Sequence, residues 1–366
     1  MRITDIKTTC FKQPMVPIHR LRFTGQQELV LTRIITDSGL EGYSMARAHG
    51  GQPGRGIADA IISTFKSKLV GQDPLDRERH WQKMTESEPA GYVPVFATSA
   101  VDVALWDLAG KIYNTPLYKL LGGWHDKIMA YASSANMETV DDYIQDVRRS
   151  LERGYKAYKI HPFNDPARDA VLCRTVRKEV GPDIKLMLDV NKTYDRMSAI
   201  RIGRLLESLD FTWFEEPLPQ YDIEGYAALS KTLDIPVIGA ETVAGGPFAV
   251  ANYLRANALD MVLCDVYWKG GVTGMLRTAH ACESMGIKVA SHHGASPVMN
   301  FANLHVLCGA TNADLMEMLV PEEGYNFALK SFLKPDKEGY LHPPEVPGLG
   351  VELDWEYIKA NTTFEL

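Results

Sequence analysis

The 366-residue sequence is poor in cysteine: five are present, Cys10, Cys173, Cys264, Cys282 and Cys308, scattered and with no CxxC pair. That excludes a disulfide framework or a structural zinc knuckle and fits a reducing compartment. No run approaches the roughly 18 uninterrupted apolar residues of a membrane helix, and Met1-Arg2-Ile3-Thr4-Asp5 leads straight into a strand-like alternation with no signal-peptide pattern. The expectation is a soluble, cytoplasmic protein with no membrane partner. Basic charge is short as well. Lys and Arg number 39 against 46 Asp and Glu, a net charge of −7, which argues against nucleic acid as a partner. A small anionic ligand stays open, because a metal or a few cations reverse a local field. What is present, 45% hydrophobic and 23% charged residues, is ordinary globular composition, enough for a barrel of about 250 residues and a smaller unit.

Residues 1–45 read as β structure: Ile3 to Thr9 alternates, Glu28 to Thr36 is rich in β-branched residues, and Asp37-Ser38-Gly39 is a turn. Residues 57–121 turn helical, with Ile57, Ile61, Ile62, Phe65 and Leu69 spaced for one buried face. Together they make an α+β unit over 1–125. From Asp126 short apolar strands alternate with amphipathic helices. The strands are Tyr155–Ile160, Ile184–Leu188, Trp213–Phe214, Val237–Ile238, Met261–Leu263, Lys288–Ala290 and Leu315–Met316, and the βαβα order over 126–330 favours a parallel sheet or barrel. A proline-rich tail, 331–366, ends in a strand.

The chemistry is written where the ionisable residues fall. Just after successive strands come Lys159 and His161, Asp189, Glu215, Glu241, Asp265, His292 and Glu317, and the steps from Asp189 onward are 26, 26, 24, 27 and 25 residues. About 25 residues is one βα repeat, so each step moves one strand round a barrel and all these groups share its C-terminal rim. Asp189, Glu215 and Glu241 are hard oxygen donors on adjacent strands, which suits Mg²⁺, with Mn²⁺ a substitute, better than zinc. Each could instead cap a helix, but three at one-repeat intervals argue otherwise. Asp265 and His292 follow on the next two strands, the pairing that orients an imidazole as a general base or acid; adjacent His293 is expected to point away. Lys159 and His161, two apart, share one side of their strand. An inward lysine beside a divalent cation neutralises a carboxylate whose α-proton is leaving, and histidines on two faces serve proton removal and delivery. A non-catalytic metal-binding barrel and a metal-dependent hydrolase are the rival readings. The first leaves every acid/base position filled for no purpose; the second wants a histidine pair near the first strand, where Tyr131-Ala-Ser-Ser134 supplies none.

The segment from Ala97-Thr-Ser-Ala-Val-Asp-Val-Ala-Leu-Trp-Asp to Gly122 resembles the first signature of the mandelate racemase/muconate lactonizing enzyme family, and Leu186-Met-Leu-Asp189-Val-Asn191 with Phe214-Glu215-Glu216-Pro217 resembles the second. Phe214 sits where smaller aliphatics are usual. The resemblance spans the chain and implies an α/β fold: a modified TIM barrel of (β/α)7β type, an N-terminal α+β capping domain, and a tail returning to the cap. Asp265, His292, Glu317 and Gly270-Gly-Val-Thr-Gly274 resemble the mandelate racemase subgroup of the enolase superfamily. Lys269 lies too far along to be the strand-six lysine of the muconate lactonizing subgroup and is expected in the loop. The resemblance implies Asp189, Glu215 and Glu241 as Mg²⁺ ligands and Glu317 as a hydrogen-bonding partner of the substrate carboxylate. It departs at strand two, where Lys159-Ile160-His161 replaces the usual Lys-x-Lys, so the second acid/base there is a histidine or is absent. Most of the subgroup dehydrate acid sugars; racemases, epimerases and cycloisomerases are the alternative. Asn191 and the cap residues His19, Arg20, Arg22 and Arg47 suit a hydroxylated anionic substrate, and a homo-oligomer, dimer to octamer, is implied.

Overall fold

The alternating segments pair as expected. In a computed structural model that describes residues 1–19, 25–48, 51–88, 93–243, 245–294 and 296–366, β1 (Ile3–Pro14), β2 (Gln26–Thr36) and β3 (Glu41–Arg47) form an antiparallel sheet. The last strand, which we number β13 (Thr362–Glu365), pairs with β1 through Cys10 and Phe364. Arg20 and Arg22 lie outside the described residues, as does the side chain of His19. Helix α2 (Val95–Ile112) covers this sheet, α1 (Arg77–Thr85) packs on α2, and both meet the second unit. Trp81 Nε1 donates to Gly270 O at 2.7 Å and Ser99 Oγ to Tyr267 O at 2.8 Å. Asp102 accepts from Thr273 N and Oγ1 at 2.9 and 2.7 Å. Gly271 is required there: its φ is +88°, and a Cβ would stand 2.3 Å from Asp102 Oδ2.

Eight parallel strands then close on themselves: β4 (Ile128–Ser133), β5 (Ala157–Ile160), β6 (Lys185–Asp189), β7 (Trp213–Glu215), β8 (Val237–Gly239), β9 (Met261–Cys264), β10 (Lys288–Ser291) and β11 (Ala313–Leu319), with β11 pairing back to β4. Each of the first seven is followed by a packed helix, so the unit is a (β/α)7β barrel with the antiparallel sheet as a second layer system. The 25-residue series of ionisable groups starts one strand after β4, and periodicity misses the helix after β10, α9 (Pro297–Gly309), which is buried on nearly every side and so shows no 3.6-residue period. Inside the barrel sits one apolar residue from every strand: Tyr131, Ala157, Met187, Trp213, Ile238, Leu263, Ala290 and Leu315. No described helix is long and apolar enough to cross a membrane, and the five cysteines are unpaired and buried.

Candidate active site

Side chains alternate along a strand, so two residues beyond each member of that apolar layer the chain points into the barrel again, one step nearer the mouth. The positions are Ser133, Lys159, Asp189, Glu215, Asp265, His292 and Glu317. On β8 the same count lands on Ala240, whose φ is +70°. The break in alternation turns the next residue, Glu241, inward. Asp189, Glu215 and Glu241 are buried and bring carboxylate oxygens within 4.8 Å of one another. None caps the helix that follows its strand; Asp195, Asp222 and Gly245 hold those places.

Lys159 is fully buried, with Nζ 2.5 Å from Glu215 Oε1, 2.8 Å from Glu317 Oε1 and 3.8 Å from Asp189 Oδ2. Burial favours the neutral amine, but Glu215 and then Glu317 hold the ammonium well above the usual lysine range. Sequence spacing aimed it at a substrate carboxylate. Its place is lower, among the protein's own carboxylates, and it does not line the cavity. His161, two residues further up, does. The carbonyl of Ser134, 2.7 Å from Nδ1, accepts the ring N–H, and Nε2 stands 2.9 Å from Asp189 Oδ2.

His292 meets Asp265 with Nδ1 2.5 Å from Oδ2, and its Nε2 lies 3.7 Å from Glu241 Oε2. Asp265 also accepts from Trp268 N at 2.6 Å. Asn303 of α9 joins the two segments, donating to His292 O at 3.0 Å and accepting from Val266 N at 2.9 Å. Burial opposes a charged His292, yet the charge of Glu241 and the bond to Asp265 raise it to about 10. Burial would raise Glu317, but Lys159 and then His292 lower it to about 2. Its Oε2 accepts from His293 N at 2.6 Å. His293 was expected to turn away; it lines the cavity instead, because the chain has left strand geometry there, and burial pushes its ring down to about 3.

The cavity over this ring is ≈ 290 Å³, room for a small molecule rather than a polymer. Arg47, at the end of β3, and Asn191 line it. Asn191 has φ +50° and donates its N–H to Asp189 Oδ1 at 2.8 Å. Residues that strand spacing did not reach also line it, Asn136, Lys192, Thr242 and Trp268 among them. Lys192 Nζ sits 3.0 Å from Thr242 Oγ1, 3.2 Å from Glu216 Oε2 and 3.5 Å from Glu241 Oε1. The one available signal was its place directly after Asp-Val-Asn191.

Residues 3–122 match the mandelate racemase/muconate lactonizing enzyme N-terminal domain, and residues 142–357 match the enolase C-terminal domain-like family. The chain is 30% identical over 336 residues to an arabinonate dehydratase of Saccharolobus solfataricus, covering 88% of this chain and 87% of that one. It is 27% identical to a D-galactarolactone cycloisomerase of Agrobacterium fabrum, over 97% of each. A crystal structure of D-glucarate dehydratase from Agrobacterium tumefaciens complexed with magnesium superimposes with a TM-score of 0.90 at 32% identity, covering 100% of both chains.

Proposed function

The chain belongs to the mandelate racemase/muconate lactonizing enzyme family of the enolase superfamily, and from that premise we propose a Mg²⁺-dependent enzyme that removes the α-proton of a hydroxy-carboxylate and dehydrates an aldonic or aldaric acid to a 2-keto-3-deoxy acid. The observation that carries this reading is the rim itself: three buried carboxylates close enough to share one cation, and a carboxylate-bonded histidine on the same small cavity.

The residues fit the ion. The donor set is all oxygen, as Mg²⁺ or Mn²⁺ prefers, and Glu241 Oε2 is buried with no hydrogen-bond partner. Asp189, Glu215 and Glu241 would hold it, and when bound it supplies positive charge to the substrate carboxylate as the α-proton leaves. His292 Nε2 takes that proton. Asp265 on Nδ1 fixes the ring and stabilises its charged form. Glu241 is the first of the groups that hold the ring protonated, so neutralising that carboxylate returns it toward a working base. The departing β-hydroxyl needs a proton, from His292 itself or from His161 Nε2. Glu317, held by Lys159 and the His293 N–H, can meet the substrate carboxylate only by carrying a proton, since two carboxylates otherwise repel, while Arg47 and Asn191 take its hydroxyls or far end.

A cycloisomerase or epimerase uses the same proton removal without loss of water; the similarity to the D-galactarolactone cycloisomerase over nearly the whole chain favours it as the second reading. The test is Glu241→Gln. It is expected to abolish Mg²⁺-dependent turnover of acid sugars while leaving the circular dichroism spectrum unchanged; full activity would remove Glu241 from the ligand set.

A further inference from the structure

Asp189 and Glu215 owe their direction to strand alternation; Glu241 does not. Its place depends on the left-handed step at Ala240, a backbone conformation disfavoured for any residue with a Cβ. Two groups grip that step. Glu216, itself turned back with φ +46°, accepts the Ala240 N–H at 2.8 Å. Lys269 reaches in from the turn after β9. It is fully buried, and its ammonium lies 2.6 Å from Ala240 O, 2.8 Å from Glu241 O and 3.4 Å from Val243 O. An ammonium has three N–H groups, and all three find carbonyls of this one segment. Lys269 does not line the cavity and has no part in the proton transfers above.

Its own backbone is fixed. Lys269 N donates to Asp265 O at 3.2 Å, and Lys269 O is packed so closely on Gly274 that a Cβ there would stand 1.7 Å away. The same turn therefore carries Asp265, which orients His292, and the ammonium that holds the Glu241 segment.

We infer that Lys269 is a positioning residue for the metal site: it holds the 240–243 backbone in the step that turns Glu241 toward Asp189 and Glu215. The inference rests on the reading of Glu241 as a ligand, and Mn²⁺ binding by the full chain, followed by electron paramagnetic resonance, separates the two. Wild type is expected to bind one Mn²⁺ and Glu241→Gln to lose it; no binding by wild type, or binding unaffected in Glu241→Gln, overturns the metal-site reading and the inference with it. Given Glu241-dependent binding, Lys269→Met is expected to weaken Mn²⁺ about 10- to 100-fold, the range for groups that orient metal ligands, with unchanged circular dichroism. Adding Ala240→Gly to Lys269→Met is expected to recover part of the loss, because glycine adopts the left-handed step without steric cost; a general loosening of the barrel would not be repaired at that residue. Unchanged affinity in Lys269→Met, or no recovery in the double variant, overturns the inference. So does failure of both Lys269→Met and Lys269→Gln to fold, since the ammonium would then hold the barrel rather than one ligand.

Discussion

Two walls of the cavity each present a histidine, three strands apart round the barrel, and what holds each ring differs. On the β10 side, Nδ1 of His292 meets the buried carboxylate of Asp265. On the β5 side, Nδ1 of His161 meets a backbone carbonyl, that of Ser134, and its Nε2 leans on Asp189. A carboxylate behind the ring stabilises the imidazolium that proton removal creates; a carbonyl orients the ring with only a partial charge behind it. A third histidine shows how strong the contrast is. His305 is buried between two backbone groups, accepting from Tyr118 N on Nδ1 and facing Leu349 O with Nε2, both at 3.1 Å. Burial pushes it down to about 4, while His292, raised first by the charge of Glu241 and then by Asp265, stands at about 10. The two walls are therefore unequal, and the inequality favours His292 as the base.

The largest expected effect tests that inequality. His292→Asn should lower kcat about 10³- to 10⁴-fold, the scale of a lost acid/base group, with Mn²⁺ affinity retained. Asp265→Asn should cost about 10²-fold, because Asn can keep the ring in place but cannot stabilise its charge. His161→Asn should cost about tenfold; a loss equal to that of His292→Asn, measured as solvent-deuterium exchange at C2, would make the walls equivalent and favour the epimerase reading. The smallest effect lies outside the site. His305 is neutral when folded and binds a proton at its ordinary value when unfolded. Its stability contribution is thus present above about pH 6.5 and lost as pH falls toward about 4. The whole shift corresponds to about 3 kcal/mol at most. Urea denaturation should show His305→Gln losing less stability than wild type between pH 7 and 4.5; parallel curves would mean the ring is not what titrates.

The inward ring was readable in the sequence because a βα repeat has nearly constant length and a strand has a period of two. Those two periods alone bring Asp189, Glu215, Asp265, His292 and Glu317 to one height. Where the chain leaves strand geometry, residue type no longer tells direction. Asn191, Lys192, Glu216 and Ala240 all have positive φ without being glycine, and Lys269 and Asn303 act across long sequence gaps. The depth of Lys159 was equally hidden, since a count of two gives its side of the strand but not how far below the cavity its ammonium rests. β4 stands outside the ionisable series because it carries small residues at that height, and α9 escaped because burial all round erases helical periodicity.

Proton NMR of the Mg²⁺-loaded protein in D₂O with pooled aldonic and aldaric acids distinguishes dehydration from its rivals. A new C3 methylene or deuteromethylene signal from a 2-keto-3-deoxy acid is expected, absent with His292→Asn. Deuterium entering C2 with the C3 hydroxyl retained would contradict dehydration, and would set His161 and His292 as an equal pair of bases.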